Sequence, residues 1–138
     1  MKALLDTSTV SLAMRGQRGV RERLQRELRD QLAISAITVA EGLYGCECSD
    51  NPTRWRPAWL HVAATWTVLP FDQACAEYYA RIRADLARRG TPIGDRDTMI
   101  AATAAAHNLV VVTADVADFR RVRGLRVEDW AQPKPGKR

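Results

Sequence analysis

A chain of 138 residues, 46% of them hydrophobic, is long enough for one domain with a real core and too short for two. No window approaches the ~20 uncharged apolar residues of a membrane span, and Asp6 interrupts the N-terminal run before a signal-peptide core forms, so neither membrane insertion nor export is expected. The net charge of +5 rests almost wholly on arginine, since lysine is confined to Lys2, Lys134 and Lys137; the charge permits a nucleic-acid partner, although GC-rich codon usage alone produces the same bias. Cys46, Cys48 and Cys75 form neither a CxxC pair nor a Cys/His cluster, so they read as buried or idle thiols of a cytoplasmic protein rather than a zinc site.

Ala3-Leu4-Leu5 is a short apolar run that stops at Asp6-Thr7-Ser8, a buried strand leading into a helix cap. A first helix is predicted from Thr9 to Met14. A second follows Gly16 and Gly19, with Val20, Leu24 and Leu28 as its apolar stripe. Gln31 to Ser35 reads as a strand, and Thr38 opens a helix through Glu47 in which Glu41 lies near the start. After the Asn51-Pro52 turn, Pro57 to Thr65 is helical, with Trp55, Trp59 and Ala63 spaced by four. Thr67 to Leu69 is a third strand. Asp72 caps a long helix ending at Gly90, whose stripe is read as Ala76, Tyr79 or Ala80, Arg83 and Leu86.

Pro92 and Gly94 then break the chain, Asp95 serves as N-cap, and an Ala-rich helix runs to Ala106. Three, four and seven residues beyond Asp97 lie Ile100, Ala101 and Ala104, so Asp97 heads the apolar stripe and points a carboxylate inward. Leu109 to Val112 is an uninterrupted run suited to a central parallel strand. A short helix from Val116 to Arg121 and a strand near Leu125 to Val127 follow. Trp130 is expected to pack, which sets a domain at 1–131 and a basic tail at 132–138 with nothing to bury, expected to be disordered.

Alternating strands and helices predict an α/β domain with a central, mainly parallel sheet flanked by helices in three layers. In such a sheet the strand C-termini and the following helix N-termini share one edge, where ligands bind. Asp6 ends the first strand and Asp115 follows the fourth. Glu41 lies in the helix after the second strand, and Asp97 opens the helix before the fourth. Singly, each has an ordinary explanation as a cap, a solvated face or a turn residue. Together they crowd carboxylates that repel one another, an arrangement that binding a hard cation explains and stability does not. Oxygen-only ligands point to Mg²⁺ or Mn²⁺, the ions of phosphoryl chemistry.

The pieces Leu4-Leu5-Asp6-Thr7, Ile34 to Glu41 with Gly45, Val68 to Asp72, Ile93 to Asp97 with Ile100-Ala101-Ala102, and Val112 to Asp115 with Asp118-Phe119 occur in one order over nearly the whole chain. In this the chain resembles PIN-domain ribonucleases, specifically the VapC-type toxins of prokaryotic toxin–antitoxin pairs. The resemblance implies a PIN-like fold and a metal-dependent endoribonuclease with Asp6, Glu41, Asp97 and Asp115 as its acidic quartet. Asp6 and Asp97 would be the principal Mg²⁺ or Mn²⁺ ligands, with Glu41 and Asp115 completing the site or orienting the attacking water. It further implies an RNA substrate, a homodimer, and a VapB-type antitoxin that blocks the site within a larger hetero-oligomer. Two positions depart from the usual pattern: Ser8, often Asn, and Gly42, often Leu. Asp118 competes with Asp115 for the fourth place; Asp115 is preferred because it sits nearer the strand end.

Other readings fit less well. A haloacid-dehalogenase-type phosphatase needs a second Asp where Ser8 stands, and a response-regulator receiver needs a Lys near its last strands. A non-catalytic PIN-like scaffold that binds RNA or protein is the remaining alternative, and the complete quartet argues against it.

Overall fold

The computed structural model describes residues 1–132; the tail expected at 132–138 lies, from residue 133 on, outside the described residues. In chain order the elements are β1 (Ala3–Leu5), α1 (Thr7–Met14), α2 (Arg18–Arg26), a 3₁₀ turn (Arg29–Gln31), β2 (Leu32–Ser35), α3 (Ala36–Cys48), α4 (Arg56–Thr65), β3 (Thr67–Leu69), α5 (Gln73–Arg88), α6 (Asp95–Ala106), β4 (Val110–Val112), α7 (Val116–Phe119) and β5 (Val127–Glu128). The sheet has the order β3-β2-β1-β4-β5, and all four pairings are parallel.

Side chains alternate across this sheet and so divide the core in two. Leu4, Ala33 and Val111 face one way, onto Leu86 of α5, Ile100, Ala101 and Ala104 of α6, and Phe119 of α7. Leu5, Ile34 and Val112 face the other way, onto Val10 of α1, Val20 of α2, Cys46 of α3 and Trp59 of α4. Three layers result, with the central strands β1 and β2 buried on both faces and the edge strands β3 and β5 partly exposed. The chain leaves β1 for β2 and β3 on one side, then crosses back to β4 on the other. Such a reversal opens a crevice at the strand C-termini, beside β1. Among the described residues, no helix is long and apolar enough to cross a membrane.

Several expected details change. The α6 N-cap is Gly94, which supplies no side chain; Asp95 lies inside the first turn and bonds instead to Tyr79 of α5, 3.3 Å away. Ser35 caps α3 by accepting from the Ile37 amide, so the helix opens two residues before Thr38, which is fully buried. Helix α2 stops at Arg26, and Leu28 is 69% exposed in the turn beyond rather than part of the stripe. The buried side of α5 runs through Cys75, Tyr79, Ile82 and Leu86, leaving Ala76, Ala80 and Arg83 outside. Counting from Asp72 as cap gave the right helix and a stripe rotated by one residue, because Cys75 behaves as a small apolar residue in the core.

Gly42 has a packing cause. A Cβ at this position would overlap the Trp59 indole ring, which lies against the α3 backbone and fills the space between α3 and α4. Helix propensity alone favours Gly42→Ala by about 1 kcal/mol. Overpacking in a filled core costs about 1–3 kcal/mol and should win. Gly42→Ala is therefore expected to lower the urea midpoint, and Trp59→Leu in the same chain to restore part of the loss; a stabilised single variant would contradict this packing.

Candidate active site

The crevice is built outward from Asp6, which leaves β1 in extended conformation and caps α1. It is only 3% exposed. Its Oδ1 accepts from the Thr9 amide at 2.9 Å and from Ser8 Oγ at 2.7 Å, and its Oδ2 accepts from Thr113 Oγ1 at 2.5 Å. Burial pushes the Asp6 carboxyl upward, and these donors, Thr113 foremost, oppose the shift. Ser8 and Thr113 each work twice. Ser8 Oγ accepts from the Ala114 amide at 3.0 Å, and Thr113 Oγ1 accepts from the Asp115 amide at 2.8 Å. The turn after β1 and the turn after β4 are thus tied together through Asp6.

Glu41 comes from the second turn of α3. Its Oε1 accepts from Thr7 Oγ1 at 2.6 Å and its Oε2 from Arg96 Nε at 3.0 Å. Asp97 lies in the first turn of α6, half-buried at the head of the stripe formed by Ile100, Ala101 and Ala104. Its carboxyl is pushed up to about 6, first by burial and then by the charges of Asp6, Glu41, Asp115 and Asp118. Asp115 and Asp118 flank the start of α7, and a carboxylate oxygen of each lies within 4.8 Å of one on Asp97. Asp115 is raised as well, by loss of water on its cleft side and then by Asp118.

Asp97 is thus where the acids meet: Asp115 and Asp118 bring carboxylate oxygens within 4.8 Å of it, and Asp6 and Glu41, outside that close group, reach it through their charges. The preference for Asp115 over Asp118 does not separate the two: a three-residue spacing at the start of α7 aims both at Asp97. Two unit charges ~5 Å apart at an effective dielectric constant near 20 repel by about 3 kcal/mol, so the group does not ionise fully without a counter-charge. Arg96 on Glu41 and Arg121 on Asp118, at 3.6 Å, supply part of it from the rim. The rest of the donor set is carboxylate oxygen alone, which fits a hard divalent cation.

Comparison with known proteins places this geometry. A PIN-domain family profile matches residues 3–125. The tRNA(fMet)-specific endonuclease VapC of Salmonella typhimurium is 38% identical over 131 residues, covering 94% of this chain and 98% of that protein. Its counterpart in Shigella flexneri is 37% identical over 132 residues, covering 95% and 99%.

The chain is a PIN-domain protein of the VapC family.

The fold agrees at the level of coordinates: DNA-bound VapBC from Salmonella typhimurium aligns with a TM-score of 0.88 at 38% identity, covering 94% of this chain and 98% of the matched one. In this VapC-family chain Ser8 donates to Asp6 as a hydroxyl can. Four further side chains were not singled out from the sequence: Thr7, Thr113, Arg96 and Arg121. Thr113 ends β4 and looks like an ordinary β-former, while Arg96 reaches an acid 55 positions away. Of the early arginines, Arg15 lines the cleft that contains Glu41, whereas Arg18 pairs with Glu22 at 2.8 Å and lines a different depression.

Thr113→Val keeps the shape and removes the donor to Asp6 Oδ2. A hydrogen bond to a charged group is worth about 1.5–3 kcal/mol, so chemical denaturation should show a loss of that order at pH 7, with Thr113→Ser recovering most of it. The Asp97 carboxyl holds its proton to higher pH when folded (about 6) than when unfolded (3.8). Ionising it thus destabilises the metal-free fold, a loss that develops as pH rises from about 4 to about 6 and then stays constant. With a chelator present, Asp97→Asn should melt above the parent at pH 7, and the gap should close on acidification to pH 4. A gap independent of pH would remove Asp97 as the strained acid.

Proposed function

We propose that this chain is a Mg²⁺- or Mn²⁺-dependent endoribonuclease that acts in the cytoplasm as the toxin of a type II toxin–antitoxin pair. The convergence of Asp6, Glu41, Asp97, Asp115 and Asp118 at the strand C-termini of a VapC-family chain carries this reading. Asp6 and Asp97 would be the principal metal ligands. Asp115 and Asp118 complete the oxygen set. A bound cation supplies Lewis-acid activation of the phosphodiester and of water. Glu41, held by Thr7 and Arg96, would orient the attacking water. Ser8 and Thr113 hold Asp6 so that little rearrangement accompanies metal loading.

Two relatives carry the name tRNA(fMet)-specific endonuclease, so initiator tRNA is the substrate class proposed first. Several neighbouring structures are VapBC complexes, which supports a VapB-type antitoxin as partner; a homodimer within a larger hetero-oligomer is proposed with it. The domain is taken as residues 1–131, the rest being a basic tail.

The test is cleavage of initiator tRNA by the purified chain with Mg²⁺ or Mn²⁺ and with chelator. Cleavage should require the metal, and Asp97→Asn should lower kcat/KM by at least ~100-fold. Arg15→Ala should weaken RNA binding and Arg18→Ala should leave it intact. Metal-dependent RNA binding without any cut would replace the nuclease by a PIN-like scaffold; a fully active Asp97→Asn would sink the site assignment.

A further inference from the structure

Two glycines sit one turn apart in α3, and only one of them is needed for folding. Gly42 is required by the Trp59 ring. Gly45 is not: its backbone is not in the left-handed region, and a Cβ built there meets no atom within 4 Å. A mid-helix glycine weakens the helix, and here no contact returns the loss. What Gly45 does is leave room.

The room is a cleft of about 290 Å³ bounded by α1, α3 and α4. Thr7 and Glu41 belong both to this cleft and to the acid cluster, so an occupant lies directly beside the reacting position. Trp55, 38% exposed, gives it an aromatic face, Trp59 lines it with little of its ring exposed, and Ser11 adds a hydroxyl. Arg15 stands exposed in its lining, with no carboxylate in ion-pair reach among the described residues, unlike Arg18, Arg23, Arg89 and Arg96. A small, mostly apolar recess with a few polar edges and an unpaired guanidinium matches an unstacked base with its phosphate outside. A recess of about 290 Å³ has room for a planar ring.

We propose that the cleft between α1, α3 and α4 is a nucleobase subsite for a nucleotide flanking the scissile phosphate, kept open by Gly45, with Arg15 on the adjoining phosphate. The inference rests on the ribonuclease reading above and specifies where that enzyme reads its RNA. Stacking of one base is worth a factor of about 5 to 100 in affinity.

The test fills the cleft without touching the acids. Gly45→Leu should melt no lower than the parent, because the new side chain enters empty space, and Gly45→Ala serves as a smaller, fold-neutral step. Single-stranded RNAs each carrying one abasic residue near the cut point are assayed with Mn²⁺, and their affinities are measured separately by anisotropy in an Asp97→Asn background. The expected result is that one abasic position raises KM for the parent by about 5- to 100-fold, that Gly45→Leu raises KM for intact RNA similarly, and that the two losses do not add. Losses that add, or an unchanged KM in a folded Gly45→Leu, would overturn the subsite. Loss of antitoxin inhibition by Gly45→Leu with RNA affinity unchanged would assign the cleft to the antitoxin and overturn it as well. A parent chain that neither binds nor cuts any RNA would instead defeat the ribonuclease reading itself.

Discussion

Burial of the Asp6 carboxylate at the end of the central strand is the constraint on which the site depends. A carboxylate removed from water is tolerated only when its lone pairs are used. Here the Thr9 amide, Ser8 Oγ and Thr113 Oγ1 use them. Because Ser8 and Thr113 also accept backbone amides from the turn after β4, satisfying Asp6 fixes that turn, and with it Asp115 and the start of α7. The parallel register that sets Leu5 beside Val112 and Ile34 puts these turns at one edge to begin with. Folding and site assembly are the same event on this side of the sheet.

The remaining acids are positioned by helices rather than by the sheet, and their electrostatics oppose the arrangement. Asp97 is carried into the crevice by the buried stripe of α6, where Ile100, Ala101 and Ala104 are fully buried. Each buried Ile or Leu side chain contributes about 1.5–3 kcal/mol, comparable with the repulsion that Asp97 meets. Arg96 and Arg121 touch Glu41 and Asp118 from the rim and leave the centre negative. The same packing that stabilises the fold therefore holds a site short of positive charge.

Much of this was legible in the sequence where one element decides the outcome. Leu4-Leu5-Asp6 and Val111-Val112-Thr113 announce buried strands and their ends, and the spacing from Asp97 to Ile100, Ala101 and Ala104 announces an inward carboxylate. Where two distant segments decide together, the pattern was silent. Glycine at 42 becomes explicable only with the Trp59 ring against it, and Thr113 reads as a donor only when Asp6 lies opposite. Asp115 and Asp118 could not be ranked by distance from the strand, because a turn of α7 brings both to Asp97.

The central claim is that the acids form a divalent-cation site whose occupancy ionises Asp97, and calorimetric titration of Mn²⁺ into the purified chain in buffers of different ionisation enthalpy tests it most directly. With the Asp97 carboxyl at about 6, binding at pH 6 should release roughly half a proton from that group and almost none at pH 8, with affinity rising between the two. Asp97→Asn should remove that half-proton at pH 6 and weaken binding strongly. Mn²⁺ binding of equal strength in parent and variant, with no proton released at pH 6, would contradict the account.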